Sequence, residues 1–419
     1  MDKILIEGPN RLIGEVTIRG AKNAVLPLMA ASLLVDGWMT ITNVPRLKDI
    51  DTFNTLLRHL GADVETDYDS GVLRIRTPQL KSAAAPYDMV RTMRASVLAL
   101  GPLVARFKRA RVSLPGGCAI GARPIDLHLM ALKKMGAEVS VEHGFVNVKA
   151  ERLVGASIHF DTVTVTGTEN VMLAAVHAEG TTVIGNAALE PEVVCLADAL
   201  IKMGARIKGA GTDTITVEGV NSLKAVEVEV IPDRIEAGTF MVASAMTKGN
   251  VLIKNCPYKF LDALSVKLKE AGTEIRQEKD GVRVIGDIPI GSVDVKTMPY
   301  PGFPTDMQAQ MMSMMAIASG LSVITETVFE NRFMHVSELK RMGADITIDG
   351  RTAVVRGVRA LSAAPLMATD LRASASLILA GLAAHGTTEV SRIYHLDRGY
   401  ERIETKLLGL GAKIKRVKA

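Results

Sequence analysis

The chain has 419 residues, 48% of them hydrophobic and 23% charged, a size and composition that predict a globular protein of two domains. The formal net charge of +5 suits anionic ligands, but the basic residues form no long run, so charge alone does not indicate nucleic acid. The three cysteines, Cys118, Cys195 and Cys256, are far apart and include no CxxC pair, which argues against a disulfide framework and a metal site.

The N-terminus and the longest apolar run both argue against export or membrane insertion. Residues 1–9 lack the basic segment and apolar core of a signal peptide. The run from Met311 to Ile324 is too short to span a bilayer and predicts a buried helix followed by a strand. We therefore expect a cytoplasmic protein with reduced thiols and no membrane association.

A short pattern, hydrophobic-Gly-Ala-x-[Ile/Val], recurs six times along the chain, with Thr273 replacing the alanine in the fourth copy. It predicts a helix that ends at a glycine of positive φ and is followed at once by a strand. Spacings of 75, 68, 68, 71 and 68 residues separate the successive glycines, which are Gly61, Gly136, Gly204, Gly272, Gly343 and Gly411.

Each repeat predicts about two helices and four strands. The sixth repeat lacks its last strands, and the segment ILIEGPNRLIGEVTIRG at the N-terminus resembles residues 282–298 of the fourth. We therefore expect the N-terminal strands to complete the last repeat. This predicts one three-repeat domain at 21–229 and a second at 1–20 plus 230–419. Two crossovers would join these domains beside a cleft that holds the active site.

Polar residues begin the small-residue helix of each repeat, where free backbone amides and the helix dipole favour anions. A shared anion site is one interpretation, and capping of the helices or a solenoid scaffold without a site are the alternatives. These residues are Lys22-Asn23, Arg94, Thr168-Glu169-Asn170, Asp233-Arg234-Glu236, Asp306-Gln308 and Asp370-Arg372.

The loop LPGGCAIGARPIDL at 114–127 has three glycines and two prolines and could move as a lid. Its thiol, Cys118, lies five residues before Arg123, and a nearby cation favours the reactive thiolate. The alternative is a small buried cysteine that packs as an apolar residue. Cys195 and Cys256 lack such a setting, and we expect them to be structural.

Several long motifs resemble those of the UDP-N-acetylglucosamine 1-carboxyvinyltransferase family of enolpyruvyl transferases. They are GAKNA at 20–24, PGGCAIGARPIDLH at 115–128, FPTDMQAQ at 303–310, TETVFENRFMH at 325–335, ATDLRASASL at 368–377 and YHLDRGYERIE at 394–404. The resemblance runs from Met1 to the C-terminus. It implies an α/β (α+β) fold, a two-domain inside-out α/β barrel of six βαβαββ-type repeats, three in each domain, whose helices are enclosed by sheets.

The resemblance also implies roles for individual residues. Cys118 would be the general acid at the substrate methylene and would form a covalent adduct with phosphoenolpyruvate. Asp306 would lie at the sugar 3'-hydroxyl. The other catalytic and substrate-binding positions that match the family are Lys22, Arg123 and Arg398 at the phosphate, Asn23 in the substrate cleft, Arg332, Asp370 and Arg372 around the carboxylate, and Arg94, Arg123, Pro124, Ile125, Asp126, Leu127 and Val328 at the UDP-sugar. A diphosphate-binding strand would fall near Thr162, Val163, Thr164 and Val165.

The expected reaction transfers the enolpyruvyl group of phosphoenolpyruvate to UDP-N-acetylglucosamine by addition and elimination, the first committed step of peptidoglycan synthesis. From the residues alone, Asp306 is as well explained as a helix cap as by a role in taking or orienting the hydroxyl proton. No metal site, Walker loop or dinucleotide motif is present, so no cofactor is expected. The epoxide fosfomycin should alkylate Cys118, and no obligatory protein partner is inferred.

Two alternatives stay open from the sequence. A 5-enolpyruvylshikimate-3-phosphate synthase would share the architecture and the reaction class, although the PGGC loop and its Arg-Pro neighbour argue against it. A non-enzymatic repeat ring that binds nucleic acid would be compatible with the basic charge.

Overall fold

A computed structural model describes residues 2–90, 93–114, 125–286 and 289–418. Within them the chain forms two compact units. Unit I comprises the described residues of 20–114 and 125–231, and unit II those of 2–19 and 232–418. The predicted sites at Cys118, Arg123 and Pro124 lie outside the described residues.

The strands in chain order are β1 (Asp2–Gly8), β2 (Ile13–Thr17), β3 (Met39–Thr42), β4 (Asp63–Asp67), β5 (Val72–Arg76), β6 (Ala84–Ala85), β7 (Arg109–Ser113), β8 (Glu138–Glu142), β9 (Phe145–Lys149), β10 (Ser157–His159), β11 (Thr181–Gly185), β12 (Arg206–Lys208), β13 (Thr214–Glu218), β14 (Glu227–Glu229), β15 (Asn250–Lys254), β16 (Glu274–Glu278), β17 (Gly281–Ile285), β18 (Val295–Lys296), β19 (Leu321–Thr325), β20 (Asp345–Asp349), β21 (Thr352–Arg356), β22 (Pro365–Met367), β23 (Gly386–Ser391) and β24 (Lys413–Lys418).

The α-helices are α1 (Lys22–Ala31), α2 (Lys48–Leu60), α3 (Tyr87–Val90), α4 (Leu100–Phe107), α5 (Asp126–Lys134), α6 (Val165–Ala175), α7 (Pro191–Met203), α8 (Arg234–Met246), α9 (Asp262–Glu270), α10 (Gln308–Met315), α11 (Val336–Arg341), α12 (Leu371–Ala383) and α13 (Ile403–Gly409). Short 3-10 helices cover Ser32–Leu34, Arg94–Ala99, Tyr258–Phe260, Thr305–Met307 and Ile393–Arg398.

Six four-stranded sheets share one connectivity, in which a parallel pair is followed by two antiparallel pairings. Unit I contains the orders β14-β3-β5-β4, β6-β7-β9-β8 and β10-β11-β13-β12. Unit II contains β16-β17-β15-β2, β18-β19-β21-β20 and β22-β23-β1-β24. The prediction of an α/β fold built from six repeats is thus confirmed.

The N-terminal strand completes the last repeat, as predicted. β1 lies between β23 and β24 and pairs antiparallel with both, with Ile4 opposite Val390 and Ile6 opposite Ile414. The next strand, β2, pairs in parallel with β15. The first and last segments of the chain therefore belong to one unit, although 386 residues separate such contacts as the ion pair of Lys3 with Glu389.

The six repeat glycines all have positive φ, between +90° and +116°. Gly61 shows why glycine is needed, because it ends α2 in the left-handed conformation and donates its N–H to the carbonyls of Leu57 and Arg58. A side chain there would be strained by this backbone conformation. The predicted helix–glycine–strand pattern is confirmed in every copy.

Helices occupy the interior of each unit. Every residue of α8 is buried, whereas strands such as β4 and β16 have one largely exposed face. The predicted helix and strand in the 311–324 run are α10 and β19, and Met311, Met312, Met314 and Met315 are fully buried. Within the described ranges, no helix is both long and apolar enough to cross a bilayer.

Candidate active site

Asp306 is the centre of a charged cluster in unit II. It belongs to the short 3-10 helix Thr305–Met307, which follows Pro304 and continues into the buried helix α10. Arg332 Nη2 donates to Asp306 Oδ1 at 2.6 Å and Arg372 Nη2 donates to Oδ2 at 2.7 Å. The arginine side chains are only 4% and 5% exposed, against 25% for Asp306. We call these three residues the Asp306 cluster.

The two arginines keep the Asp306 carboxyl ionised. Burial alone would raise its pKa, but the charges of Arg372 and Arg332 and their hydrogen bonds outweigh burial and lower the pKa well below its usual range. Asp306 makes no capping hydrogen bond to the amides of the helix that it begins. The interpretation of Asp306 as a helix cap is therefore wrong.

The Asp306 cluster carries two cations against one anion. Arg332 Nε and Arg372 Nη1 are buried and have no hydrogen-bond partner among the residues that the structure describes. Buried guanidinium donors without partners cost free energy unless a ligand pairs with them. The cluster is therefore suited to an anion such as a carboxylate, which a guanidinium group can bind through two parallel hydrogen bonds.

A buried layer of neutral side chains supports the cluster. Gln310 Nε2 donates to the Asp306 carbonyl at 3.0 Å and lies 3.3 Å from the Tyr400 hydroxyl. The Tyr400 hydroxyl is 2.8 Å from that of Thr239, and the Arg372 guanidinium lies 5.5 Å from the Tyr400 ring centroid. Sequence reasoning gave no role to Gln310 or Tyr400, although both stand within motifs that carried the family resemblance.

Three more predicted residues belong to unit II. Asp370 caps α12, because its Oδ1 accepts from the N–H groups of Arg372 and Ala373 at 2.9 and 3.0 Å. Arg398 is the last residue of the 3-10 helix Ile393–Arg398. Burial lowers the pKa of His395; the charge of Arg398 lowers it further, whereas that of Asp370 raises it. Val328 is exposed in the loop after β19.

Unit I carries the remaining described candidates at the starts of its helices. Lys22 and Asn23 are the first two residues of α1. Lys22 Nζ lies 3.2 Å from Oδ2 of the buried Asp49, whereas Asn23 is exposed. Ile125 is buried just before α5, and Asp126 and Leu127 form the first turn of that helix.

His128, the third residue of α5, is hydrogen-bonded to two residues of α6 in a neutral cluster. Asn170 Oδ1 accepts the Gly101 N–H, so its Nδ2 group donates to His128 Nδ1 at 2.9 Å. The ring proton must then be on Nε2, which lies 3.3 Å from Thr166 Oγ1. Burial, and secondly the charge of Arg94, lowers the pKa of His128 to about 4. We call His128, Asn170 and Thr166 the His128 cluster.

The expectation of a strand at residues 162–165 is wrong. The strand β10 ends at His159, and Val165 already begins α6. Thr164 caps that helix, because its hydroxyl oxygen accepts the Gly167 N–H at 3.1 Å. The alternation of Thr and Val resembles a strand in sequence, but the capping hydroxyl favours a helix start. This segment nevertheless offers the unpaired amides of a helix N-terminus.

Cys195 and Cys256 have the unreactive setting that the sequence indicated. Burial raises the pKa of Cys195 to about 11 and that of Cys256 to about 12. Such thiols carry almost no thiolate at neutral pH. Across the described ranges, no group of three or more His, Cys, Asp or Glu side chains could hold a metal ion.

Comparison with known proteins places these features in a family. The model of the EPSP synthase (3-phosphoshikimate 1-carboxyvinyltransferase) family matches residues 6–407. Curated proteins named UDP-N-acetylglucosamine 1-carboxyvinyltransferase are 62% identical in Desulfatibacillum aliphaticivorans, 59% in Geobacter metallireducens and 58% in Myxococcus xanthus. Each of these matches covers all of this chain and all of the relative.

Solved structures show the same architecture. The enolpyruvyl transferase NikO from Streptomyces tendae is 27% identical and superimposes with a TM-score of 0.90 over all of this chain and 99% of that one. An EPSP synthase from Acinetobacter baumannii has a TM-score of 0.79 at 19% identity, which supports the fold alone. Together with the full-length relatives, these matches show that the chain belongs to the EPSP synthase family of enolpyruvyl transferases, within the group of UDP-N-acetylglucosamine 1-carboxyvinyltransferases.

Proposed function

We propose that this chain transfers the enolpyruvyl group of phosphoenolpyruvate to the 3'-hydroxyl of UDP-N-acetylglucosamine and releases phosphate, the first committed step of peptidoglycan synthesis. The names of its full-length relatives support this activity. The observation that carries the proposal is the Asp306 cluster, in which a hydroxyl acceptor lies beside two buried cations with unused donors.

Asp306 is assigned the role of binding the 3'-hydroxyl of the sugar. As an ionised carboxylate with a strongly lowered pKa, it is a good hydrogen-bond acceptor but a weak base. While both arginines contact it, Asp306 therefore orients the 3'-hydroxyl for attack on C2. Proton transfer to Asp306 becomes easier when a bound anion draws positive charge away from the carboxylate, because the pKa of Asp306 then rises.

The cationic residues are assigned to the anionic groups of phosphoenolpyruvate. Arg332 and Arg372, near the capping residue Asp370, would bind the carboxylate through the donors that lack protein partners. Lys22, Arg123 and Arg398 would hold the phosphate. A dianionic phosphate and a carboxylate need several cations in a site that excludes water, since unpaired buried charge is costly.

Residues at helix starts of unit I, together with Val328, are assigned to binding of the sugar nucleotide. Asn23, Arg94 and residues 123–127 would contact UDP-N-acetylglucosamine. Residues 162–165 would place its diphosphate at the N-terminus of α6, where free amides favour anions. The His128 cluster would fix the relative positions of α5 and α6, and Asn170 Nδ2 also donates to the Val97 carbonyl in the 3-10 helix that Arg94 begins.

Cys118 is assigned the role of the general acid that protonates phosphoenolpyruvate. The hydroxyl oxygen bonds to C2 and gives its proton to Asp306 while the Cys118 thiol gives its proton to C3, which produces a tetrahedral intermediate and a Cys118 thiolate. Return of a proton from C3 to that thiolate and departure of phosphate from C2 then restore the double bond. Attack of the Cys118 sulfur at C2 with protonation of C3 would give the covalent adduct instead. We infer further that the protein acts in the cytoplasm without a metal, a cofactor, nucleic acid or an obligatory partner.

The decisive assay measures release of inorganic phosphate with phosphoenolpyruvate plus UDP-N-acetylglucosamine. We expect release only when both are present, and no release when 3-phosphoshikimate replaces the sugar nucleotide. UDP-N-acetylglucosamine should also raise the melting temperature, whereas duplex DNA should not. Phosphate release with 3-phosphoshikimate but not with UDP-N-acetylglucosamine as the acceptor would contradict the proposed function.

The same assay tests Cys118. Replacement by Ala should lower kcat about a hundredfold or more, because positioned proton transfer is lost, and Cys118→Asp should keep much of the activity because a carboxylic acid also delivers a proton. Fosfomycin followed by peptide mass spectrometry should modify Cys118 and neither Cys195 nor Cys256. An Ala variant at the wild-type rate would exclude Cys118 as the acid.

A further inference from the structure

Glu326 is a buried carboxylate that none of the assignments above uses. It directly follows β19 and is only 1% exposed. Four neutral donors from three segments point at it. Burying a carboxylate is costly unless its lone pairs are satisfied, and these four donors satisfy the two oxygens of Glu326.

One branch from Glu326 leads to the loop that carries Val328. Glu326 Oε1 accepts the N–H groups of Val328 and Phe329 at 2.8 and 3.2 Å. It also accepts the Thr297 hydroxyl at 2.8 Å. Because the Thr297 hydroxyl donates its hydrogen bond to Glu326, its oxygen can accept the Thr327 N–H, also at 2.8 Å. The three backbone N–H groups from 327 to 329 are therefore bound by one carboxylate oxygen and one hydroxyl.

The other branch leads to the Asp306 cluster. Glu326 Oε2 accepts the hydroxyl of Thr305, the residue before Asp306, at 2.8 Å. The Thr305 oxygen in turn accepts from Arg332 Nη1 at 2.9 Å, and Arg332 Nη2 contacts Asp306. The bonds from Arg332 Nη1 to Thr305 and from Thr305 to Glu326 both run toward Glu326, so this arrangement depends on Glu326 being an acceptor.

We propose that Glu326 is the positioning residue that holds the sugar-contacting loop at Val328 in register with the hydroxyl-orienting carboxylate of Asp306. The two branches start from the two oxygens of one side chain, so a shift of either segment is transmitted to the other. This inference rests on the proposed function, because it assigns the loop and Asp306 to the same sugar nucleotide. Glu326 itself touches no reacting atom.

The first test replaces Glu326 by Gln, which turns one acceptor into a donor facing other donors. We expect kcat to fall and the KM for UDP-N-acetylglucosamine to rise, each by about tenfold or more, since small displacements of positioned groups have effects of this size. The KM for phosphoenolpyruvate should change less. Glu326→Asp keeps the acceptor charge on a shorter side chain and should recover part of the loss. Glu330→Gln, the same change at an exposed position of the same loop, is the matched control and should behave as wild type.

Two further variants separate the branches and avoid dependence on whether Glu326→Gln folds. Thr297→Val removes the hydroxyl that serves the loop and should raise the KM for UDP-N-acetylglucosamine severalfold with kcat nearly unchanged. Thr305→Val removes the link to Arg332 and should lower kcat severalfold with that KM nearly unchanged. Identical losses in the two variants, or lower melting temperatures with unaltered kcat and KM, would overturn the proposal. Failure of the wild-type protein to release phosphate would instead overturn the proposed function.

Discussion

The Asp306 cluster in unit II and the His128 cluster in unit I both include residues near helix starts, yet their chemistry is opposite. Asp306 is ionised because two buried arginines outweigh the effect of burial. His128 is neutral at pH 7 because burial and Arg94 lower its pKa and only uncharged groups contact its ring nitrogens. The neighbours of a polar side chain thus determine the charge that it carries.

The same contrast exists within unit II. Asp233 and Asp370 accept backbone N–H groups at the starts of α8 and α12, whereas Asp306, at the start of the third inner helix, accepts arginine side chains. Three aspartates at related positions therefore divide into two caps and one ion-paired carboxylate. Only the ion-paired residue is expected to be essential for turnover.

Replacement of Asp306 by Asn should have the largest effect. It keeps the shape of the side chain but removes the charge that orients the hydroxyl and balances Arg332 and Arg372. We expect kcat in the phosphate-release assay to fall by about a thousandfold, within the range for loss of a positioned acid or base. Asp233→Asn makes the same chemical change at a capping aspartate and should retain kcat within about threefold, because Asn caps helices as well as Asp does.

The pH dependence of the stability difference between wild type and Asp306→Asn tests whether folding lowers the pKa of Asp306. Folding lowers the pKa of Asp306, so its contribution to the free energy of unfolding is present above the unfolded pKa of about 3.9 and is lost as the pH falls through the folded pKa. The free energy of urea unfolding at pH 7 should be larger for wild type than for the variant. This difference should shrink below about pH 4. A difference that does not depend on pH would show that the ion pairs contribute nothing.

Much of the fold could be predicted because its signals are local and repeated. The glycines at Gly61 and its five counterparts recur with nearly constant spacing, and the N-terminal strands resemble an internal segment closely enough to predict the place of β1. The Asp306 cluster joins residues up to 66 positions apart. Asp306 and Arg372 were among the helix-start residues that suggested a shared anion site, whereas Arg332 was expected there only through the family resemblance.

The parts that were missed depend on contacts between distant segments. The resemblance implied a strand near Thr162 to Val165, whereas the Thr164 hydroxyl accepts the Gly167 N–H and caps a helix there. Nothing near His128 or Glu326 in the sequence indicates their partners, since Asn170 and Thr297 lie 42 and 29 residues away. A single sequence gives no local signal for such pairs.

The His128 cluster predicts a pH-dependent loss of stability that the Asp306 cluster does not share at moderate pH. The pKa of His128 is lowered to about 4 from 6.5, so the unfolded chain binds a proton below pH 6.5 that the folded chain does not. The free energy of unfolding should therefore fall by about 2 kcal/mol on this account between pH 7 and 5. His128→Asn, whose carbonyl can still accept from Asn170, should lose correspondingly less in urea titrations at pH 7 and 5.

The matched control is His59→Asn, the same substitution at an exposed position of α2. His335, whose pKa burial also lowers to about 4, contributes equally to wild type and both variants and so cancels in the comparison. If His128→Asn and His59→Asn lost stability equally between pH 7 and 5, the neutral state of the His128 cluster would be refuted.

The smallest expected effect comes from Asp233, and it tests the division between capping and ion-paired aspartates. Asp233 Oδ1 accepts the N–H groups of Ile235 and Glu236 at 2.8 and 3.1 Å, so Asp233→Ala should lower the free energy of unfolding at pH 7 by about 1 kcal/mol. Asp233→Asn should lower it by only a few tenths of that, because an amide oxygen accepts the same bonds. Equal losses for Ala and Asn would mean that Asp233 acts through its charge on Arg372, which is near enough for Asp233 to raise its pKa. The contrast with Asp306 would then be one of degree, and a second charged residue would have to be added to that cluster.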